Sequence, residues 1–276
     1  MYSFIEGKYE QREDILILQQ TLPEQLSYPE QGYNALFPIE DESFWFQHRN
    51  KCIEKVIMGY PSKKLIDVGG GNGCVTKYLQ DQGNDIILLE PSIQACQNAK
   101  LRGVKKVICG LFKQPYIKAH AVEGICLFDV LEHIKDDRGF LEFIHSRMKP
   151  DGRLYLTVPA CGKLWSKEDE IAQHYRRYER ESLIQLLEMS GFKVEFCNYF
   201  FCALYKPIWL FRVLGRKLTK DRKEKKVIED EHKFYYMKIK GLMDYILGRE
   251  LRRILTYSKR RGSSLILVAV AKETHE

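Results

Sequence analysis

Leu65-Ile66-Asp67-Val68-Gly69-Gly70-Gly71-Asn72-Gly73 reads as a short apolar strand running straight into four glycines within five residues, with a helical pattern beyond. Glycine accepts positive φ and lets ligand atoms approach the backbone closely. The first turn of the helix offers N–H groups that no helical carbonyl satisfies. The stretch therefore reads as a ligand site at a strand-to-helix junction. The dinucleotide pattern G-x-G-x-x-G, started at Gly69, needs glycine at position 74, where Cys74 stands. What remains is Asp67-x-Gly69-x-Gly71-x-Gly73, an acid two residues ahead of the first glycine.

Outward from this loop the pattern is regular. Strand candidates at 64–68, 85–90, 104–109, 122–128 and 153–158 alternate with helices at 73–82, 92–102, 137–148 and 181–190. Near-continuous apolar strands separated by helices predict a parallel sheet covered on both faces. Two further strands are expected at 192–199 and 263–271, with 200–262 between them. Before the sheet, 41–59 reads as a helix capped by Asp41, and 1–40 as an arm or lid with little periodicity. The 276 residues are 45% hydrophobic and 29% charged, ordinary values that argue against pervasive disorder and coiled coil. No secretory leader and no apolar run of spanning length is read, so the expected location is cytoplasmic. The eight cysteines include no C-x-x-C pair and no zinc spacing, which fits reduced thiols. Residues 212–261 hold 17 Lys+Arg against 7 Asp+Glu, while the whole chain is only +7, so a slightly acidic body carries a basic segment.

Glu90 lies 19 residues after Gly71, at the end of the next strand. An acid there can accept both ribose hydroxyls and repels a 2′-phosphate, which disfavours NADP. Asp67 suits an ammonium group. An amino acid joined to an adenine ribose satisfies both acids, and S-adenosyl-L-methionine has that structure.

Four segments in order carry a resemblance: 65–73; 88–91, which includes Glu90-Pro91; Phe128-Asp129-Val130-Leu131-Glu132-His133-Ile134; and Met148-Lys149-Pro150-Asp151-Gly152-Arg153-Leu154-Tyr155-Leu156-Thr157-Val158-Pro159. On these the chain resembles class I S-adenosylmethionine-dependent methyltransferases, in the broad group of the ubiquinone-biosynthesis O-methyltransferases. The resemblance implies a Rossmann-like α/β fold of seven strands, the last antiparallel between its neighbours, and S-adenosyl-L-homocysteine as product. It implies that Asp67, Gly69, Gly70 and Gly71 form the methionine and ribose side, with Glu90 and Pro91 at the ribose. Adenine is then expected at Gly110, Leu111 and Phe112, where the acid common in the family is missing, and the sulfonium beside Phe128 and Asp129.

Methyl transfer is an in-line displacement that needs alignment, exclusion of water and sometimes a base. His174-Tyr175-Arg176-Arg177-Tyr178 follows the fifth strand, where loops line the crevice. His174 is the first candidate base, and Arg176, Arg177 and Tyr178 are candidates for acceptor binding. In Phe44-Trp45-Phe46-Gln47-His48-Arg49, Trp45 is a second acceptor candidate, Arg49 a partner for the methionine carboxylate and His48 another base. His133 is the third base candidate, and Trp165 and Asp169 are lesser site candidates. The resemblance also allows a divalent metal on Asp129, Glu132 and His133. That alternative is not favoured, because the same letters can simply shape the loop.

The expected organisation is an arm over 1–40, a cofactor domain over 41–199 and 263–276, and a basic helical insertion over 200–262. The insertion is read first as a cap over the acceptor pocket, with a dimer interface or peripheral membrane contact as alternatives. The expected acceptor is a small molecule, with anionic, lipid-linked and carrier-bound forms all allowed. Nucleic-acid methylation is the less favoured reading, since no Asn/Asp-Pro-Pro-Phe/Tyr motif follows strand four. A non-catalytic cofactor-binding subunit is the third, opposed by the intact loop and acids.

Overall fold

In the computed structural model, residues 2–19, 30–218, 241–256 and 260–273 are described. The centre is a sheet of β1 (Tyr9–Arg12), β2 (Ile15–Leu18), β3 (Leu65–Val68), β4 (Ile86–Glu90), β5 (Val107–Cys109), β6 (Val122–Phe128), β7 (Met148–Pro159), β8 (Phe192–Phe200) and β9 (Ser264–Ala271). Their spatial order is β1-β2-β5-β4-β3-β6-β7-β9-β8. Strands β2 to β7 run parallel wherever they pair, and β9 lies antiparallel between β7 and β8. The run Ile86-Ile87-Leu88-Leu89 is buried throughout, as a strand covered on both faces requires.

The expected seven strands are all present, and two more extend the sheet. Part of the predicted arm forms the hairpin β1–β2, turning at Glu13 and Asp14, both at positive φ. β2 adds parallel to β5, with Ile15 opposite Val107 and Ile17 opposite Cys109. The physical reason is the edge. Without the hairpin, β5 would present unpaired backbone groups, and the apolar Ile15-Leu16-Ile17-Leu18 covers them.

Helices α1 (Glu30–Glu40), α2 (Phe44–Gly59), α3 (Cys74–Asp81), α4 (Ile93–Arg102), α5 (Asp137–Arg147), α6 (Lys167–Ile171), α7 (Arg180–Met189) and α8 (Cys202–Leu218) complete the described elements with a helix over 241–252. Ser92 caps α4 through Ala95 N, at 3.3 Å. The expected cap of α2 does not form. Ser43 occupies that position, and Asp41 pairs with Arg102. The predicted basic stretch 216–226 and helix 229–257 fall largely outside the described residues; of the helix, 241–252 is described.

Alternate strand residues feed two cores, as the pleat dictates. Ile66, Val68, Leu127 and Leu156 face one side. Leu65, Cys126, Phe128 and Tyr155 face the other, where they meet Ile53 and Val56 of α2, Leu204 of α8, and Leu247. Glu250 fastens this second layer. It accepts from Phe201 N and Cys202 N, both at 2.7 Å, at the start of α8, and its Oε1 lies 3.0 Å from His48 Nε2. Trp45 stacks on Phe201, with ring centroids 3.7 Å apart. No helix of the described residues is long and apolar enough to cross a membrane. All eight cysteines are free thiols.

Candidate active site

Beyond the C-terminal ends of β3, β4, β6 and β7 lies a cavity of about 810 Å³. Its floor is the glycine loop. A Cβ on Gly70 would sit 2.5 Å from Asp67 Oδ2 and from Leu88, so only glycine lets the chain turn this tightly over the acid. Asp67 is fully buried. Thr76 Oγ1 donates to its Oδ2 at 2.6 Å, while Oδ1 is buried without a hydrogen-bond partner among the described residues. Burial pushes the Asp67 carboxyl up to about 6.

Glu90 closes β4 and accepts from Gly71 N at 3.0 Å, Ser92 N at 3.0 Å and the Tyr33 hydroxyl at 3.2 Å. Burial raises it to about 7 despite those three donors. Pro91, Gly110, Leu111 and Phe112 continue the same wall, with no acid among them. These residues fit the expected cofactor. An orphaned acceptor on Asp67 suits an ammonium, Glu90 suits a ribose, and an apolar slot follows for adenine.

The opposite end is built by loops. Asp129, at φ +57°, accepts from Thr157 Oγ1 at 3.1 Å and is ion-paired with Arg49 of α2. Arg49 Nε is buried and has no hydrogen-bond partner among the described residues. Glu132 is buried, its Oε2 likewise without a hydrogen-bond partner there, and desolvation holds its carboxyl well above the usual range with Asp129 adding to the effect. His133 is pushed down to about 4, mainly by burial and then by His174, whose ring stands edge-on at 4.7 Å.

His174 Nδ1 lies 2.9 Å from Asp169 Oδ1, which Arg177 Nε also reaches at 2.8 Å. Ser166 N donates to the other Asp169 oxygen at 2.8 Å. Burial alone would raise Asp169, but the His174 hydrogen bond and the Arg177 charge hold it at about 2. Asp169 is thus a fixed anion that orients His174. Asp129, Glu132 and His133, the disfavoured metal alternative, do not gather as one donor set among the described residues, where Arg49 and Thr157 engage the Asp129 carboxylate. Glu132, His133 and His174 instead bring donor atoms within 4.8 Å of one another.

The cavity wall takes in Trp45, Arg49, Phe128, Asp129, His133, His174 and Arg177 along with the predicted cofactor residues. It does not take in His48, Trp165, Arg176 or Tyr178, which corrects four expectations. His48 is committed to Glu250 in the second core. Trp165 Nε1 donates to Glu170. Arg176 pairs with Asp137 and donates to Lys135 O, and the Tyr178 hydroxyl donates to Asp137 at 2.9 Å. Both tie the His174 loop to the start of α5, so they support the site from behind. Arg177 lines the cavity as expected, and its Nε also donates to Asp169.

Sequence reasoning missed Tyr33, Leu36 and Glu40 of α1, and Leu204, Pro207, Ile208 and Met243 from the insertion. The spacing 33, 36, 40 is a helical stripe and was the available signal for α1.

A family model described as a methyltransferase domain matches residues 40–195. The ubiquinone biosynthesis O-methyltransferase of Salmonella paratyphi A is 29% identical over 114 residues, 39% of this chain and 47% of that protein. Its counterpart in Pectobacterium carotovorum is 27% identical, over 39% of this chain and 48% of its own. The chain thus spans about half the length of the curated relatives it matches. Among solved structures, a Haloferax volcanii methyltransferase in complex with a methyltransferase activator superposes with TM-score 0.55 at 15% identity, over 87% of this chain and 98% of that one. A Thermotoga maritima SAM-dependent methyltransferase gives TM-score 0.53 at 16% identity, over 88% and 95%. At these identities the likeness is one of fold.

Proposed function

The chain belongs to the class I S-adenosylmethionine-dependent methyltransferases, and from that membership we propose that it methylates a hydroxyl of a small-molecule acceptor. The observation that carries the reading is one cavity with two buried acids at its glycine-loop end and an oriented histidine at the other. Asp67 Oδ1 takes the ammonium, Glu90 the ribose hydroxyls, and Arg49 Nε the methionine carboxylate. S-adenosylmethionine supplies an electrophilic methyl group on sulfur. With Nδ1–H held by Asp169, His174 presents Nε2 as the lone pair that accepts the acceptor's proton.

The insertion serves as a cap in this reading. Leu204, Pro207, Ile208 and Met243 give the acceptor side an apolar wall that excludes water. The two described arginines of the lining, Arg49 and Arg177, are each ion-paired, which favours a neutral acceptor over an anionic one. Resemblance to O-methyltransferases supports oxygen as the acceptor atom.

Two measurements test this. Calorimetry should show S-adenosylhomocysteine binding to the wild type and a loss of about 1–3 kcal/mol in Glu90→Ala. Against a panel of phenols, His174→Ala should lower turnover by about 10²–10⁴ with S-adenosylhomocysteine affinity intact. Absence of binding in the wild type ends the methyltransferase reading. A metal-assisted second reading draws on the Glu132, His133 and His174 cluster. It takes over if chelator abolishes turnover and added Mg²⁺ restores it.

A further inference from the structure

Among the described residues, Tyr33 is the one donor to Glu90 that does not belong to the glycine loop or the β4 end. Its hydroxyl reaches Glu90 Oε1 at 3.2 Å, from a helix 57 residues away in sequence. Its ring lies over the loop itself: a Cβ placed on Gly71 would touch Tyr33 Cε1 at 3.6 Å. A carboxylate offers about four acceptor positions. In the described structure three of Glu90's are filled, by Gly71 N, Ser92 N and the Tyr33 hydroxyl. The backbone donors are fixed by the turn. A ribose diol brings two donors, and one acceptor position remains.

We propose that Tyr33 and the cofactor ribose compete for Glu90, so that the Tyr33 side chain governs cofactor affinity by holding or releasing that carboxylate. The inference rests on Glu90 as the ribose acid. The release is a rotation of one side chain on a docked helix, because the backbone of α1 is held independently. Asn72 Nδ2 donates to Tyr33 O at 2.8 Å, and Arg102 donates to Phe37 O at 3.0 Å while pairing with Glu40 at 2.9 Å. Asn98 adds a bond to Asn34 at 3.2 Å. None of these involves the phenol. Glu40 Oε2 and Asn72 complete a buried connection between α1 and the loop that rotation of the ring leaves whole.

The test is calorimetric titration of S-adenosylhomocysteine into the full-length wild type, Tyr33→Phe, Glu90→Gln and the double variant. Phenylalanine keeps the ring over Gly71 and removes the hydroxyl that donates to Glu90. Tyr33→Phe should bind about three- to tenfold tighter, the range that one net hydrogen bond supplies. The gain should vanish in the Glu90→Gln background. Unchanged or weaker binding in Tyr33→Phe overturns the proposal, weaker binding meaning that the hydroxyl contacts the cofactor. A gain that survives Glu90→Gln overturns it too, since the effect then does not pass through the carboxylate. Binding lost from the wild type itself would instead fail the ribose reading of Glu90 and carry the proposal down with it. A readout on the wild type needs no variant to fold. On adding S-adenosylhomocysteine, the Tyr33 ring resonances should shift while amide protection over 30–40 is kept. Ring signals that stay in place overturn the competition.

Discussion

Two buried carboxyls set the pH behaviour of the cofactor end. Glu90 is raised from 4.5 to about 7 and Asp67 from 3.8 to about 6, each by burial. Between the ordinary carboxylate range and those values, the folded chain holds more protons than the unfolded one. Its stability therefore falls as pH rises through that window. Cofactor affinity moves the other way, because only the ionised Glu90 accepts from both ribose hydroxyls. S-adenosylhomocysteine should bind about tenfold tighter at pH 8 than at pH 6, and Glu90→Gln should flatten that slope. Calorimetry at the two pH values checks it, and a flat wild-type profile contradicts it. Asp67, Glu90 and the glycines were legible because their roles are set within a few residues of a strand end. Tyr33 and Glu40 were not, since they reach the loop from 39 and 32 residues away. His48 is the converse case. Its type suits chemistry, but Glu250 engages it away from the cavity lining.

Among the elements, β3 to β7 followed from apolar runs and helix caps, whose signals are local. The hairpin β1–β2 did not, because four apolar residues have no identity until β5 offers them an edge. Ile15 makes that dependence measurable. It is 3% exposed and packs with Leu88, Ala99 and Val107. Ile15→Asp should bury a charge against β5 and destabilise the fold by about 3 kcal/mol, read from the urea midpoint. A shift under about 0.5 kcal/mol would show that the hairpin does not pair with β5 in solution. The Asp41 cap failed for a related reason. α1 runs to Glu40, and Arg102 draws the Asp41 side chain to α4 instead.

At the scale of the molecule, the two ends of the cavity come from different parts of the chain. The residues assigned to the cofactor lie in β3 to β5 and α1, while Leu204, Pro207, Ile208 and Met243, which the proposal puts on the acceptor side, come from the insertion. The insertion leaves at Phe200 and returns at Gly262, where the Phe200 backbone lies so close that no side chain fits. Its ends touch, so replacing 203–260 by a short Gly/Ser linker closes without stretching the sheet. Such a variant keeps Asp67, Glu90 and Gly71 in place, so S-adenosylhomocysteine affinity should stay within about threefold, under about 0.7 kcal/mol. It loses Leu204, Leu247 and Ile254 from the second core, so its melting temperature should fall. Turnover of any acceptor found with the phenol panel should drop below detection, because the wall of Leu204, Pro207, Ile208 and Met243 is gone and water enters. Retained turnover would remove the insertion from the acceptor site. Lost cofactor binding in a variant that still folds would place the insertion at the cofactor end instead.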